Sequence, residues 1–165
     1  MTVRSVYLFL VVFLFHSQLA TAQTIDWMSL EKAQSLAAES GKKVLLYSEA
    51  QWCGYCKKMN KEVFPEQSVV DSLHKYFYPV RIDIESKDAV LFNDERFTEQ
   101  SLARAFRAIR TPTTIFINSD GSLIGTQPGF LPAEIFDKLL AYVGRDYHRR
   151  LSFEEYLGNQ GITID

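Results

Sequence analysis

Cysteine is nearly absent from this chain: two residues in 165, both within Glu49–Cys56, "EAQWCGYC". Histidine is almost as scarce, at three, so a structural zinc site of four ligands has little to draw on. No Gly-x-Gly-x-x-Gly occurs among the eight glycines, which removes the nicotinamide and flavin fingerprint. Charge of either sign is not in excess, with 18 Lys+Arg against 20 Asp+Glu and no Lys/Arg run; this provides no basic field for nucleic acid. A long hydrophobic run is missing too, because the longest, Val6 to Phe15, is short of the ~20 residues that span a membrane. What is there is an ordinary globular composition, 47% apolar and 23% charged, long enough for one domain with a hydrophobic core and not for two.

The N-terminus reads as a separate object. Arg4 precedes the apolar run, a short polar patch His16-Ser17-Gln18 follows, and Ala20-Thr21-Ala22 satisfies the small-residue cleavage rule. This pattern predicts a secretory signal over residues 1–22, cut after Ala22, with an uncleaved anchor as the alternative. Export places the two thiols where disulfides persist and implies a periplasmic or secreted protein.

Three uses of a cysteine pair then compete. A staple closing a loop of about four residues would contribute only ~2 kcal/mol, against ~3 for fifteen, and a chain of this length does not need one. A metal clip would need two more ligands, and only His74 and His148 remain after the cut, far from the pair and without ligand-like spacing. Redox exchange is the third use, and it asks for nothing beyond the two sulfurs.

Coarse periodicity places the pair. Asp26 or Ser29 caps a helix through "LEKAQSLAAES", which Gly41 ends; "VLLY" (44–47) is a buried strand. The cysteines follow directly, and "CKKMNKEVF" reads as a helix that Pro65 kinks or stops. A helical face over 66–77 precedes an alternating strand, "YPVRIDI" (78–84). An acidic loop runs to about Phe97, and Thr98 caps a helix with a stripe at Leu102, Ala105, Phe106 and Ile109. "TPTTIFIN", the turn "NSDG" and "SLIGTQ" make a hairpin. A helix over 132–143 closes the domain, 23–144, with neither repeat nor linker. The extension, 145–165, carries a short helix around Phe153–Leu157 and is either a packed element or a docking segment.

This order implies an α/β fold with a mixed sheet, parallel in part and with an antiparallel hairpin edge. With "WCGYCK" (52–57) after a buried strand, "TPTTIF" (111–116) opening the hairpin and "GSLIGTQPGFLP" (121–132) behind it, the chain resembles the thioredoxin superfamily over about 27–143. It looks most like exported thioredoxins of bacterial sulfur-oxidation and cytochrome-maturation systems.

The helix start gives Cys53 unpaired backbone N–H groups and the positive dipole end, which favour thiolate, and Lys57 and Lys58 add positive charge within the first turns. Cys53 is therefore expected as nucleophile and Cys56, one turn on, as the resolving thiol. Trp52 offers a flat contact surface or else packs in the core. By resemblance Gly54 and Tyr55 help set the reduction potential and leave the direction of electron flow open. The bond before Pro112 is expected to be cis, with Thr111 presenting its backbone to an extended substrate segment, or trans at an edge strand; Gly129 would line the same groove. Thioredoxins carry a buried acid six residues before the first cysteine, where this chain has Tyr47. Glu49 is the nearest acid, either a proton acceptor or a solvated loop residue.

The implied protein is a monomeric thiol:disulfide oxidoreductase without a bound cofactor, acting on protein thiols and disulfides. A reductase fed by a membrane thiol-electron transporter is favoured. An oxidase or isomerase, and a non-catalytic partner-binding module, are the rivals.

Overall fold

The computed structural model describes residues 24–163, so the expected signal segment lies outside the described residues. Helix α1 (Leu30–Ser40) is capped by Ser29, not Asp26: the Ser29 hydroxyl accepts the Lys32 N–H at 3.3 Å. Gly41 ends it in the left-handed conformation (φ 76°), which glycine adopts without a Cβ penalty. Strand β1 (Lys43–Glu49) follows and is buried for six of its seven residues. Its apolar run is continuous because both faces are covered.

Helices α2 (Gly54–Glu62) and α3 (Gln67–Tyr76) lead into β2 (Phe77–Asp83). After β2 come β3 (Ala89–Phe92), β4 (Glu95–Thr98), α4 (Glu99–Ala105), β5 (Thr113–Ile117), β6 (Leu123–Pro128) and α5 (Ala133–Gly144), then a 3-10 turn (Tyr147–Arg149) and α6 (Phe153–Gly158). The main sheet has the order β2-β1-β5-β6; β1 and β2 run parallel, and the other pairs are antiparallel.

Alternation along β1 sends Leu45 and Tyr47 to one core, with Met59, Phe64, Leu73, Phe77 and Phe136, and Val44 and Leu46 to a second, with Leu30, Val80, Ile82, Leu102 and Ile115. The period of two in a strand requires this split. Helices α2, α3 and α5 thus cover one face, and α1 with α4 covers the other.

Two expectations change, and one open alternative is decided. The segment expected as an acidic loop contains the β3–β4 hairpin, turned by Asn93 and Asp94, both at positive φ (49° and 65°). Asn and Asp tolerate that conformation, and Val90, Phe92 and Phe97 pack on the second core.

Helix α4 stops before the expected stripe is complete. Arg107 turns left-handed (φ 57°), its N–H donates to the Arg104 carbonyl at 2.9 Å, and the Ala108 N–H donates to the Ala103 carbonyl at 2.8 Å, a Schellman ending. The rotation exposes Ala105 and Ile109 and buries Ala103 and Ala108 with Leu102.

The extension is a packed element. Leu157 is fully buried, the Tyr142 hydroxyl donates to the Leu151 carbonyl at 2.7 Å, and the Tyr142 ring packs at a tilt against Phe153 and Tyr156 (centroids 5.2 and 5.3 Å apart).

Candidate active site

β1 delivers the chain to the sheet end as a rod clamped on both faces, and the cysteines follow one turn later. The Cys53 N–H donates to the Ala50 carbonyl at 3.1 Å. Cys53 itself is the N-cap of α2, in extended conformation, and its Sγ accepts the Cys56 N–H at 3.0 Å. A cap side chain takes up one of the donors that a helix start leaves without a partner. The first turn of α2 holds no acid to oppose the dipole. The two sulfurs form a disulfide, with Cα atoms 5.2 Å apart.

Both cysteines are buried, at 3% and 2% exposure, in a small cluster with Ala50 and Ile84 beside them. What separates them is their borders. Cys53 lies between Trp52 and Tyr55, two of the most exposed large side chains of the described residues at 63% and 62%. Cys56 lines a cavity of about 250 Å³ with Glu49, Gln51, Lys57, Asn60 and Asp83. Trp52 is therefore a surface residue and not a core one. Nothing approaches within 4 Å of a Cβ built at Gly54, so no close contact requires glycine there. The Lys58 Nζ sits 4.4 Å from the Phe130 ring centroid and 3.8 Å from the Glu62 carboxylate, and the Tyr55 ring lies 6.1 Å from that of Phe130.

The second sequence motif arrives at the same end of the sheet. Ser48 on β1 pairs with Thr113 at the start of β5, so Thr111 and Pro112 come in just beyond the end of β1. The Thr111–Pro112 bond is cis, and the Thr111 hydroxyl is buried without a partner among the described residues. The Pro112 carbonyl accepts the Gly129 N–H at 2.8 Å, which ties the loop after β6 to the loop before β5. Residues 111, 112 and 129 are thereby brought together.

Glu49 is neither in a loop nor solvated alone. It ends β1, and its carboxylate meets Arg81 at 3.5 Å and the Asn60 amide at 3.3 Å. Tyr47, two residues back on the same strand face, is fully buried and its hydroxyl has no partner among the described residues. Burial, and then the Glu49 charge, push its phenol well above the usual tyrosine range, so it stays protonated. Arg81 and Asn60, like the buried Ser48 hydroxyl near the Ala108 and Thr113 carbonyls (3.3 and 3.2 Å), were not singled out by sequence. Arg81 lies 32 residues from Glu49, and no local pattern marks such a pair.

Residues 30–144 match the thioredoxin-like domain family. The chain belongs to the thioredoxin-like family. Over 126 residues it is 32% identical to the thiol:disulfide interchange protein DsbD of Actinobacillus pleuropneumoniae serotype 5b, covering 70% of this chain and 20% of DsbD. With the DsbD of Pseudoalteromonas atlantica the shares are 73% and 19%. The chain thus spans about one fifth of the length of the curated relatives it matches. Among solved structures it is similar to a thioredoxin from Thermus thermophilus (27% identity, TM-score 0.61, covering 73% of this chain and 88% of that one). A thioredoxin-fold protein from Helicobacter pylori shares the fold (20% identity, TM-score 0.62, covering 73% of this chain and 80% of that one). The mixed central sheet flanked by helices is this family's fold as it stands in this chain.

Proposed function

We propose that the chain is an exported thiol:disulfide oxidoreductase that reduces disulfides in partner proteins through Cys53 and Cys56. The observation that carries this reading is the Cys53 sulfur at the start of α2, receiving the Cys56 N–H at 3.0 Å while bonded to the Cys56 sulfur. In the reduced form the same N–H and the dipole stabilise a Cys53 thiolate, the species that attacks.

The Cys53 thiolate bonds to one sulfur of a partner disulfide, and the other partner sulfur leaves as thiolate. Cys56, deprotonated, then attacks the Cys53 Sγ, expelling the second partner sulfur. The Cys53–Cys56 disulfide forms, and two electrons and two protons have passed to the partner. A membrane thiol transporter restores the dithiol, since the sequence carries no Gly-x-Gly-x-x-Gly fingerprint for a nicotinamide or flavin. Trp52, Tyr55 and Phe130 offer the partner an apolar surface, Gly54 and Lys57 tune the couple, and Thr111, Pro112 and Gly129 receive an extended segment as an added strand. Proteins of sulfur oxidation or haem attachment are the partners this reading favours.

Arg4 to Ala22 supports export, releasing a chain with its domain over 23–144 and its extension over 145–165.

The test is a Cys56→Ser variant expressed in the native host. It should accumulate mixed disulfides through Cys53, and isolating them names the partners. If Cys53→Ala collects the same adducts, the reading fails. The reduction potential of the wild-type pair decides the direction of flow: a value near thioredoxin's ~−270 mV supports a reductase, one near ~−120 mV an oxidase.

A further inference from the structure

The resolving step needs a proton acceptor for Cys56, and the position where the family carries its buried acid holds Tyr47, which keeps its own proton. The nearest alternative is on the page. Glu49 lies two residues along the same strand, so its side chain points to the same sheet face, the one α2 covers. It shares with Cys56 the cavity of about 250 Å³, room for several waters at ~30 Å³ each.

The carboxylate is held on both oxygens. Arg81 Nη1 approaches Oε1 at 3.5 Å and the Asn60 side-chain amide donates to Oε2 at 3.3 Å, while Arg81 Nη2 donates to the Asn60 carbonyl oxygen at 2.7 Å, closing a ring of three side chains. The guanidinium is itself fixed, stacked 4.1 Å from the Trp27 ring centroid and 5.6 Å from that of Phe64. Arginine's planar fork suits such a bridge in a way that a lysine ammonium does not.

The other charged or titratable groups around Glu49 are Tyr47 on β1, Asp83 on β2 and Lys57 on α2. Asp83 is its register partner on the neighbouring strand. It is engaged elsewhere: its Oδ1 accepts the Glu85 N–H at 2.9 Å, and its own N–H donates to the Glu99 carboxylate at 2.8 Å. Lys57 is exposed and carries no lone pair when charged.

We propose that Arg81 is a positioning residue that, with Asn60, holds the Glu49 carboxylate against the Cys56 cavity to take that thiol's proton. This rests on the reading of Cys56 as the resolving thiol. Cys56 S–H gives its proton to the Glu49 carboxylate through the cavity. The resulting thiolate attacks the Cys53 Sγ, the partner sulfur leaves with the electron pair, and the neutral Glu49 returns its proton to solvent or to that leaving thiolate.

Stopped-flow reaction of the reduced full chain with dithiobis-nitrobenzoate separates the two steps. The first release of nitrobenzoate thiolate reports attack by the nucleophilic cysteine, and the second reports resolution. Glu49→Gln should slow the second phase by about 10-fold or more, with the first phase within about twofold. It should also make the second phase steeper in pH between about pH 6 and 8, as solvent base takes over. Arg81→Gln should slow the same phase by several fold and Arg81→Lys recover part of it. An unchanged second phase in Glu49→Gln, or equal slowing of both phases in all three variants, overturns the proposal. A missing first phase in the wild type would instead overturn the functional reading on which it rests.

Discussion

The Gly129 N–H donates to the Pro112 carbonyl at 2.8 Å, and so the loop before β5 and the loop after β6 are tied together at the open end of the hairpin, where Thr113 pairs with Pro128. Gly129 sits at φ 89° with nothing within 4 Å of a built Cβ. The constraint is therefore conformational and not steric. Gly129→Ala should lower stability by about 1 kcal/mol, the penalty of a Cβ in that backbone region, read from the denaturant midpoint. No loss would mean that the loop relaxes freely.

Trp52 is mostly solvent-exposed yet directly precedes Cys53, the N-cap of α2. Trp52→Ala should change stability by no more than about 0.5 kcal/mol, as surface substitutions usually do. Its exchange rate with a disulfide-bonded protein should fall, while that with a small disulfide holds. Parallel kinetics on the two substrates check this; equal losses on both would assign Trp52 to the chemistry and not to the contact.

Leu157, on α6, is fully buried. Leu157→Ala should destabilise the chain by about 2–5 kcal/mol, the range for a buried leucine truncated in place, without altering thiol reactivity in the folded protein. Equilibrium unfolding measures it. A loss below about 0.5 kcal/mol would show that the extension does not pack in solution.

His148 supplies a pH dependence. Burial lowers its imidazole below the ordinary value, and although Asp146 at 4.0 Å pulls the other way, Lys43 and Arg149 nearby side with burial. The unfolded chain thus binds the proton more readily than the folded one. The stability His148 contributes is complete above the unfolded value near ~6.5 and is lost as pH falls through the lower folded value. Urea midpoints taken from about pH 7.5 down to about 5 should drop more in the wild type than in His148→Gln. Identical slopes would refute the assignment.

Local chemistry was legible in the chain. The Ser or Asp before α1, Gly41 behind it, the Thr98 cap and the Asp-Gly turn of the hairpin act over a few residues, and each does so in the structure, with Ser29 taking the first role. The β3–β4 hairpin was hidden because its Asn93-Asp94 turn lies in an acidic stretch whose core-facing Val90, Phe92 and Phe97 mean little until α1 and α4 are there to cover them. The end of α4 is not legible for a related reason: helical periodicity does not announce a left-handed arginine.

That two thiols stand one helical turn apart at the start of a helix follows from the chain alone, since a buried strand, a break and a run of helix formers are all short-range instructions. Which groups surround those thiols is settled by packing. Glu49, Asn60 and Arg81 come from β1, α2 and β2, and their meeting depends on strand register and on Trp27 and Phe64 flanking the guanidinium. Such contacts arise from packing between segments far apart along the chain, and packing leaves no periodic trace in any one of them.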